Sequence, residues 1–416
     1  MHASRLYLLL FSLYWAQGLP VGFMTHALPV ILRAQGVSLA QIGGFGLLML
    51  PWSIKILWAP WVDRLGSSRI GHYRSWIIPM QVCSICGLVV LAYFPIEALN
   101  QPQFLLMFFV LMLWINFSGA SQDIATDALA VNLLKTDQQH WGNTFQVIGS
   151  RLGFIVGGGV LLWAVDALGW QNTFLCLAAL VALNTLPIVL QPARQDRQGV
   201  QGSAAKLFSI RHYLQHFLQS KTTRAWLTVL LSFKVADGLA GPLLKPLMVD
   251  IGLSFTQIGL YITVLGAVAA LLGAFIAGYL LQSFSRVGVL LFFSIVKILT
   301  LIGFAGLGWA YESGMSVSFT LIYALNALED LCSAMLLVVM LTLVMHYSRS
   351  ALAGTDFTFQ VALMATVSGG FYLISGVIAD QIGYAWMLSL VVVMAILSVF
   401  PIYFWSKTLG QSQASL

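Results

Sequence analysis

Trp58-Ala59-Pro60-Trp61-Val62-Asp63-Arg64-Leu65-Gly66 closes an apolar run with an aspartate, an arginine and a glycine, and Arg69 and Arg74 follow before the next apolar run opens at Trp76. Lipid-facing segments exclude charge, whereas cytoplasmic loops collect Lys and Arg. An apolar run, a short basic stretch and a second apolar run therefore form a pair of membrane helices joined by a cytoplasmic loop. Working outward, the region Gln17 to Trp76 sets the frame for the rest of the chain.

The composition agrees with that frame. Of 416 residues, 59% are hydrophobic and 8% charged, with a mean hydropathy of +0.88, whereas a soluble domain is roughly a quarter charged. Apolar runs of about 20 residues or more, enough to cross a ~30 Å hydrocarbon core as helices, fall at 5–33, 39–62, 75–95, 102–134, 139–166, 169–191, 223–249, 255–282, 286–310, 317–346, 352–379 and 383–406. The sequence predicts twelve spans in an all-α membrane protein. The first run has no small-residue cleavage site and is expected to be a retained helix.

The basic residues set the orientation. With the amino terminus inside, fourteen of the twenty Lys and Arg lie on the cytoplasmic side, which satisfies the positive-inside rule and places both termini in the cytoplasm. The pI of 9.2 thus reports topology, and no nucleic-acid partner is implied. Cys83-Ser-Ile-Cys86 has redox-motif spacing but lies in an apolar helix, so its thiols are read as packing groups. No His, Cys or carboxylate cluster has metal-ligand spacing, and no cofactor or catalytic constellation is called for. An enzyme is not expected.

The chain repeats itself. Gly36-Val-Ser-Leu-Ala-Gln-Ile-Gly43 returns as Gly252-Leu-Ser-Phe-Thr-Gln-Ile-Gly259, Thr144-Phe-Gln-Val147 as Thr358-Phe-Gln-Val361, and Asp166-Ala-Leu-Gly169 as Asp380-Gln-Ile-Gly383, at offsets of 216 and 214. Two six-helix halves in the same orientation, 1–191 and 223–416, are the parallel repeat of the major facilitator fold, with a substrate site expected near the midplane. The joining segment, 192–222, is polar and includes Phe208 to Leu218, whose apolar spacing predicts a short amphipathic helix on the cytoplasmic surface.

Charged residues carry the candidate chemistry. Asp63, Arg64, Arg69 and Arg74 follow the G-x-x-x-D-R-x-G pattern of major facilitator proteins, with Ala59 where glycine is usual, and they are read as a gating latch. The aspartate can accept hydrogen bonds from a helix amino terminus while the arginines seek carboxylates. An ionised group near the bilayer centre costs at least ~3 kcal/mol and marks a pathway or a partner. Asp123 and Asp127 stand four apart in the fourth span and so share a face. Arg151 in the fifth span, flanked by Gly149 and Gly153, is the simplest partner for either, as a static brace or as a switching pair. In the second half Asp237, Glu329 and Asp330 join Asp123 and Asp127 as proton-coupling candidates, and Lys234 stands three residues before Asp237. Asp356 is read as a cap or gate. Gly18-Leu-Pro20 and Gly241-Pro242 are expected to interrupt the first and seventh helices, and such paired breaks point to a substrate site. Tyr14, Trp15 and Gln17 would face it if the bend opens inward; the alternative is that they pack.

Gln17-Gly-Leu-Pro20, Met49 through Pro60, Val62-Asp63-Arg64, Arg74-Ser-Trp76, Gln122-Asp-Ile-Ala-Thr-Asp127 and Gly149-Ser-Arg151-Leu-Gly153 together resemble the AmpG-type permease family, which includes muropeptide importers, acetyl-coenzyme A transporters and siderophore permeases. The resemblance is close over the first 155 residues. The stop at twelve spans and the wording Gly22-Phe-Met-Thr-His-Ala-Leu-Pro29 to Leu39 resemble the siderophore (rhizobactin and ferripyochelin) branch. In that light Lys55, Arg151 and Lys234 become candidates for an anionic ferric chelate, unless Lys55 snorkels to the interface. The resemblance implies a multi-pass protein of the bacterial inner membrane, importing a ferric siderophore by alternating access with proton symport, and acting as a monomer with the lipid bilayer, its cargo and protons as partners. The alternatives are an AmpG-type muropeptide permease and an exporter of siderophores or drugs.

Overall fold

The computed structural model describes residues 3–35, 37, 45–67, 69–190, 217–254 and 257–413. They are overwhelmingly helical, as lipid demands of a backbone that must satisfy its own hydrogen bonds. Of the linker helix predicted over 208–218, only Phe217 and Leu218 are among them; the remainder lies outside the described residues.

Among the described residues, nine helical runs are long and apolar enough to span a membrane. Two of these, Gln139–Leu190 and Ser350–Leu409, have 52 and 60 residues. At 1.5 Å per residue that is about 80–90 Å of helix, far more than one crossing needs. Each is divided by one glycine at positive φ, Gly169 (φ 78°, ψ 167°) and Gly383 (φ 80°, ψ 171°), a region essentially reserved for glycine. These glycines close the repeated motifs at 166–169 and 380–383, so the sequence repeat returns as the same backbone torsion in both halves.

The span expected at 39–62 begins outside the described residues and continues as short pieces. A 3-10 turn Phe45–Met49 leads to α3 (Leu50–Ile54), a second 3-10 turn Lys55–Leu57 and α4 (Ala59–Arg64). Pro51 and Pro60 stand in the first turns of α3 and α4, where a missing N–H costs nothing. Lys55 therefore sits in the turn between two proline-started helices.

The chain forms two compact units, Met1–Ser203 with Ser348–Phe359, and Ala204–Tyr347 with Gln360–Leu416. In the first, α1 (Ala3–Gly22) passes through a π turn, Phe23–Ala27, into α2 (Leu28–Ala34), followed by α5 (Arg74–Ala92), α6 (Pro102–Leu133), α7 (Gln139–Ile155) and α8 (Leu161–Leu190). α1 lies along α7, and α5 packs on α6 and α8. The α1–α7 approach is backbone to backbone: a Cβ on Gly149 would stand 2.8 Å from the Phe11 carbonyl oxygen, and one on Gly153 2.6 Å from Gly18 Cα. Small residues permit such contact in membranes, where no hydrophobic force draws helices together. Phe23, Phe108, Phe174 and Leu177 lie in the core of this unit.

The second unit contains α9 (Lys221–Phe233), α10 (Val235–Asp250), α11 (Leu265–Ser283), α12 (Arg286–Glu312), α13 (Phe319–His346) and most of α14 (Ala353–Gln413). α13 packs against α11 and α12, around a core including Leu239, Phe304 and Met387. The fully buried Trp226 donates to Gln360 Oε1 at 2.7 Å and stacks on Tyr347.

The helix breaks differ from those expected. α1 runs through Pro20 and departs from α-geometry only at Phe23, while α10 runs through Pro242 and Pro246 and the interruption falls at Lys234 (φ −100°, ψ 5°). Proline forfeits one intrahelical bond, and a membrane helix supported by neighbours absorbs that loss. The repeat also fixes how the halves correspond at this place. Gly22 abuts Phe154 and Gly238 abuts Ser368, pairs related by the repeat offsets of 216 and 214. Asp237 thus answers Val21.

Candidate functional site

Large apolar side chains such as Leu8, Trp114, Leu190 and Leu373 are exposed, whereas Lys55, Asp63, Asp123, Asp127, Lys297 and Asp356 are buried. This inverted distribution, apolar outside and charged inside, belongs to a protein that is solvated by lipid and holds its charge for function.

The first buried cluster joins α1, the turn at Lys55, α6 and α7. Lys55 Nζ forms an ion pair with Asp123 Oδ2, and Gln17 Nε2 donates to Asp123 Oδ1 at 2.7 Å. One turn on, Asp127 Oδ1 accepts from Tyr14 OH at 2.6 Å and from Gln146 Nε2 at 3.3 Å. Lys55 is 4%, Asp123 6% and Asp127 2% exposed, so the cluster sets two carboxylates against one lysine away from water. Lys55 also lies 5.5 Å from the centre of the Trp52 ring, a cation–π contact. Lys55 does not snorkel, and it takes the place expected of Arg151. Arg151 is half-buried and has no ion pair among the described residues. α1 and α7 are held too close at Gly149 and Gly153 for a long side chain between those glycines to turn across the contact. Trp15 is half-buried beside Phe11, with its Nε1 unpaired.

The second cluster lies in the other unit, on α10, α12 and α13 with Lys234 at the break before α10. Asp237 bridges Lys234 and Lys297 through its two oxygens. Lys297 also reaches Glu329 Oε1 at 3.2 Å and Ser333 Oγ at 2.6 Å, and Ser333 donates to Glu329 at 2.7 Å. A cavity of about 30 Å³ adjoins Asp237 and Lys297, room for about one water. Glu329 and Asp330 part company, as adjacent helical residues must. Asp330 lies against Gly266 of α11 and accepts from Asn326 Nδ2 at 2.9 Å.

A third polar assembly lies at the end of α4. Asp63, fully buried, accepts from Gly354 N (2.9 Å), Thr355 N (2.7 Å), Thr355 Oγ1 (2.5 Å) and Tyr73 OH (3.1 Å). These donors include the first turn of α14, whose unpaired N–H groups attract a carboxylate. Asp356, in the same turn, accepts from Arg349 N, Nε and Nη2 at 2.8–2.9 Å. Arg64 and Arg69 are exposed, and Arg74 Nη2 donates to the Val189 carbonyl at 3.0 Å.

Residues 5–175 match the family model described as acetyl-coenzyme A transporter 1. The anhydromuropeptide permease of Escherichia coli K12 is 27% identical over 364 residues, covering 86% of this chain and 71% of the permease. Putative transporter AmpG 4 of Rickettsia felis is 22% identical over 406 residues and 96% of each chain. Among solved structures, a bacterial homologue of the iron transporter ferroportin in an outward-facing state superposes with a TM-score of 0.69 over 98% of this chain and 100% of that one. The major facilitator transporter FucP in its outward conformation gives 0.68 over 96% and 97%, both at 16% identity. This chain has the major facilitator fold.

Its similarity in sequence is to AmpG-type permeases. These comparisons give no support to the siderophore branch read from the sequence. The length that suggested that branch is shared by the Rickettsia AmpG relative, which aligns over 96% of both chains. Lys55, Asp123, Asp127 and Tyr14 were candidates from the sequence, whereas Gln146 was not, and neither the pairing of Tyr14 with Asp127 nor the place of Lys297 at the centre of the second cluster was anticipated. For Lys297 the signal was present: it is a lysine inside the ninth apolar run, with no interface within reach of its side chain.

Proposed function

We propose that this transporter imports an anhydro-sugar peptide into the bacterial cytoplasm across the inner membrane, by alternating access and with proton co-transport. One observation carries the cargo assignment: the 364-residue similarity to the anhydromuropeptide permease of E. coli, which reaches through both halves of the chain. Proton coupling is supported by charge counting in the first cluster. Lys55 neutralises Asp123, leaving Asp127 with only hydroxyl and amide donors. A bare carboxylate at such depth costs at least ~3 kcal/mol, so Asp127 is the seat of a proton, and Tyr14 and Gln146 orient its remaining oxygen. Release of that proton leaves the cluster one negative charge in excess, which drives a rearrangement around Lys55. Asp63 on the first turn of α14 is the gate that this rearrangement opens and closes.

The cargo assignment is tested by supplying labelled anhydromuropeptide, and in parallel a labelled ferric siderophore, to cells with and without the protein. Muropeptide uptake that depends on the protein, with siderophore uptake unchanged, is the expected result. Dependence of siderophore uptake alone would overturn the proposal.

A further inference from the structure

The second cluster has no part in the proton argument, and its bonding is uneven. Lys297 holds three partners, Asp237, Glu329 and Ser333. Lys234 holds one, Asp237, together with a contact 5.4 Å from the centre of the Phe233 ring. Its side chain is also the most exposed of the four charged members, 25% against 21% for Asp237, 16% for Glu329 and 11% for Lys297. Two ammonium groups and two carboxylates balance, so this cluster, unlike the first, is neutral with every group ionised.

We propose that Lys234 is the docking point for a carboxylate of the cargo, taken up by partner exchange. The arriving carboxylate replaces Asp237 on the Lys234 ammonium, while Lys297 keeps Asp237 paired. Neither protein carboxylate is left bare, which is the condition that makes breaking a buried ion pair affordable. Lys297 cannot serve in this way, because releasing it would leave Glu329 with only the Ser333 hydroxyl. Lys234 stands at the break between α9 and α10, where its backbone leaves helical geometry, so the ammonium can swing between the two carboxylates at small conformational cost. Recognition is of charge on a flexible stem, suited to a peptide carboxylate of variable position; the planar, two-pronged grip of an arginine would demand one fixed orientation. The inference deepens the reading of the cargo as an anhydro-sugar peptide and rests on it for the physiological ligand, but not for the chemistry of the site.

The test uses the full chain purified in detergent, with binding read as the ligand-dependent rise in unfolding temperature. Two probes are compared: a tripeptide with a free terminal carboxylate and the same tripeptide amidated. The expected result is that the free acid stabilises the native protein and the amide does so at least tenfold more weakly by concentration. Lys234→Ala should abolish that preference, and Lys234→Arg, which keeps the charge, should retain most of it. A Lys297→Ala protein should start from a lower unfolding temperature, since it strands the Glu329 carboxylate. Equal binding of acid and amide by the native protein, or an undiminished preference in Lys234→Ala, would overturn the proposal. If Lys234→Ala does not fold, Lys234→Gln carries the same comparison. A protein that prefers the acid yet fails to import muropeptide would refute the cargo assignment and leave the carboxylate site standing.

Discussion

At the scale of single residues, Asp123 and Asp127 separate into two roles. Asp123 is the counter-ion of a buried lysine. Removing one partner of such a pair leaves an uncompensated charge and costs about 3–5 kcal/mol, whereas replacing both with apolar groups is often neutral. Asp123→Asn should therefore lower the unfolding temperature, and Lys55→Met combined with Asp123→Leu should recover most of the loss in the same thermal melts. Asp127→Asn keeps a neutral side chain able to accept from Tyr14, so its melt should match the native protein. Part of this was legible in the sequence: the four-residue spacing put both carboxylates on one face. The partner was not legible. Lys55 and Arg151 were both available cations, and the choice between them depends on the proline-bounded turn that aims Lys55 inward and on the close α1–α7 contact.

At the scale of elements, glycine acts in two physically distinct ways. A Cβ on Gly157 would stand 2.0 Å from the Leu19 carbonyl oxygen, while a Cβ on Gly169 would meet nothing within 4 Å. Gly157→Ala should force the second π turn, Val156–Val160, away from α1, with an overpacking cost of about 1–3 kcal/mol. Gly169→Ala should cost on the order of 1–3 kcal/mol through backbone strain alone. Pairing Gly157→Ala with a Leu19 substitution should not help if the clash is with the carbonyl, and thermal melts of the single and double variants would show this. The helices themselves were readable from apolar run length, and the repeated Asp-x-x-Gly motifs marked where two of them divide. The breaks were misplaced because Pro20, Pro242 and Pro246 signal a lost bond, but packing decides whether the helix bends there.

At the scale of the whole molecule, the sequence repeat and the basic loops were enough to reach the major facilitator fold, and the comparisons agree. Cargo was not legible, because the chain length that suggested one branch is shared by the Rickettsia AmpG relative. The Asp63 assembly ties the end of α4 to the first turn of α14 through three hydrogen bonds. Hydrogen bonds to a charged group contribute about 1.5–3 kcal/mol each, so Asp63→Ala should change the transport rate several-fold. Binding of the tripeptide acid should change far less. Initial uptake rates set beside the thermal-shift affinities measure that split.

The central claim is that a proton carried on Asp127 drives import of an anhydro-sugar peptide. Its most direct test is accumulation of labelled anhydromuropeptide in proteoliposomes containing the protein, under an imposed inward proton gradient, for the native chain and Asp127→Asn. The account predicts concentrative uptake by the native protein, its collapse on adding a protonophore, and equilibration without accumulation by Asp127→Asn. Gradient-driven accumulation that survives in Asp127→Asn would contradict it.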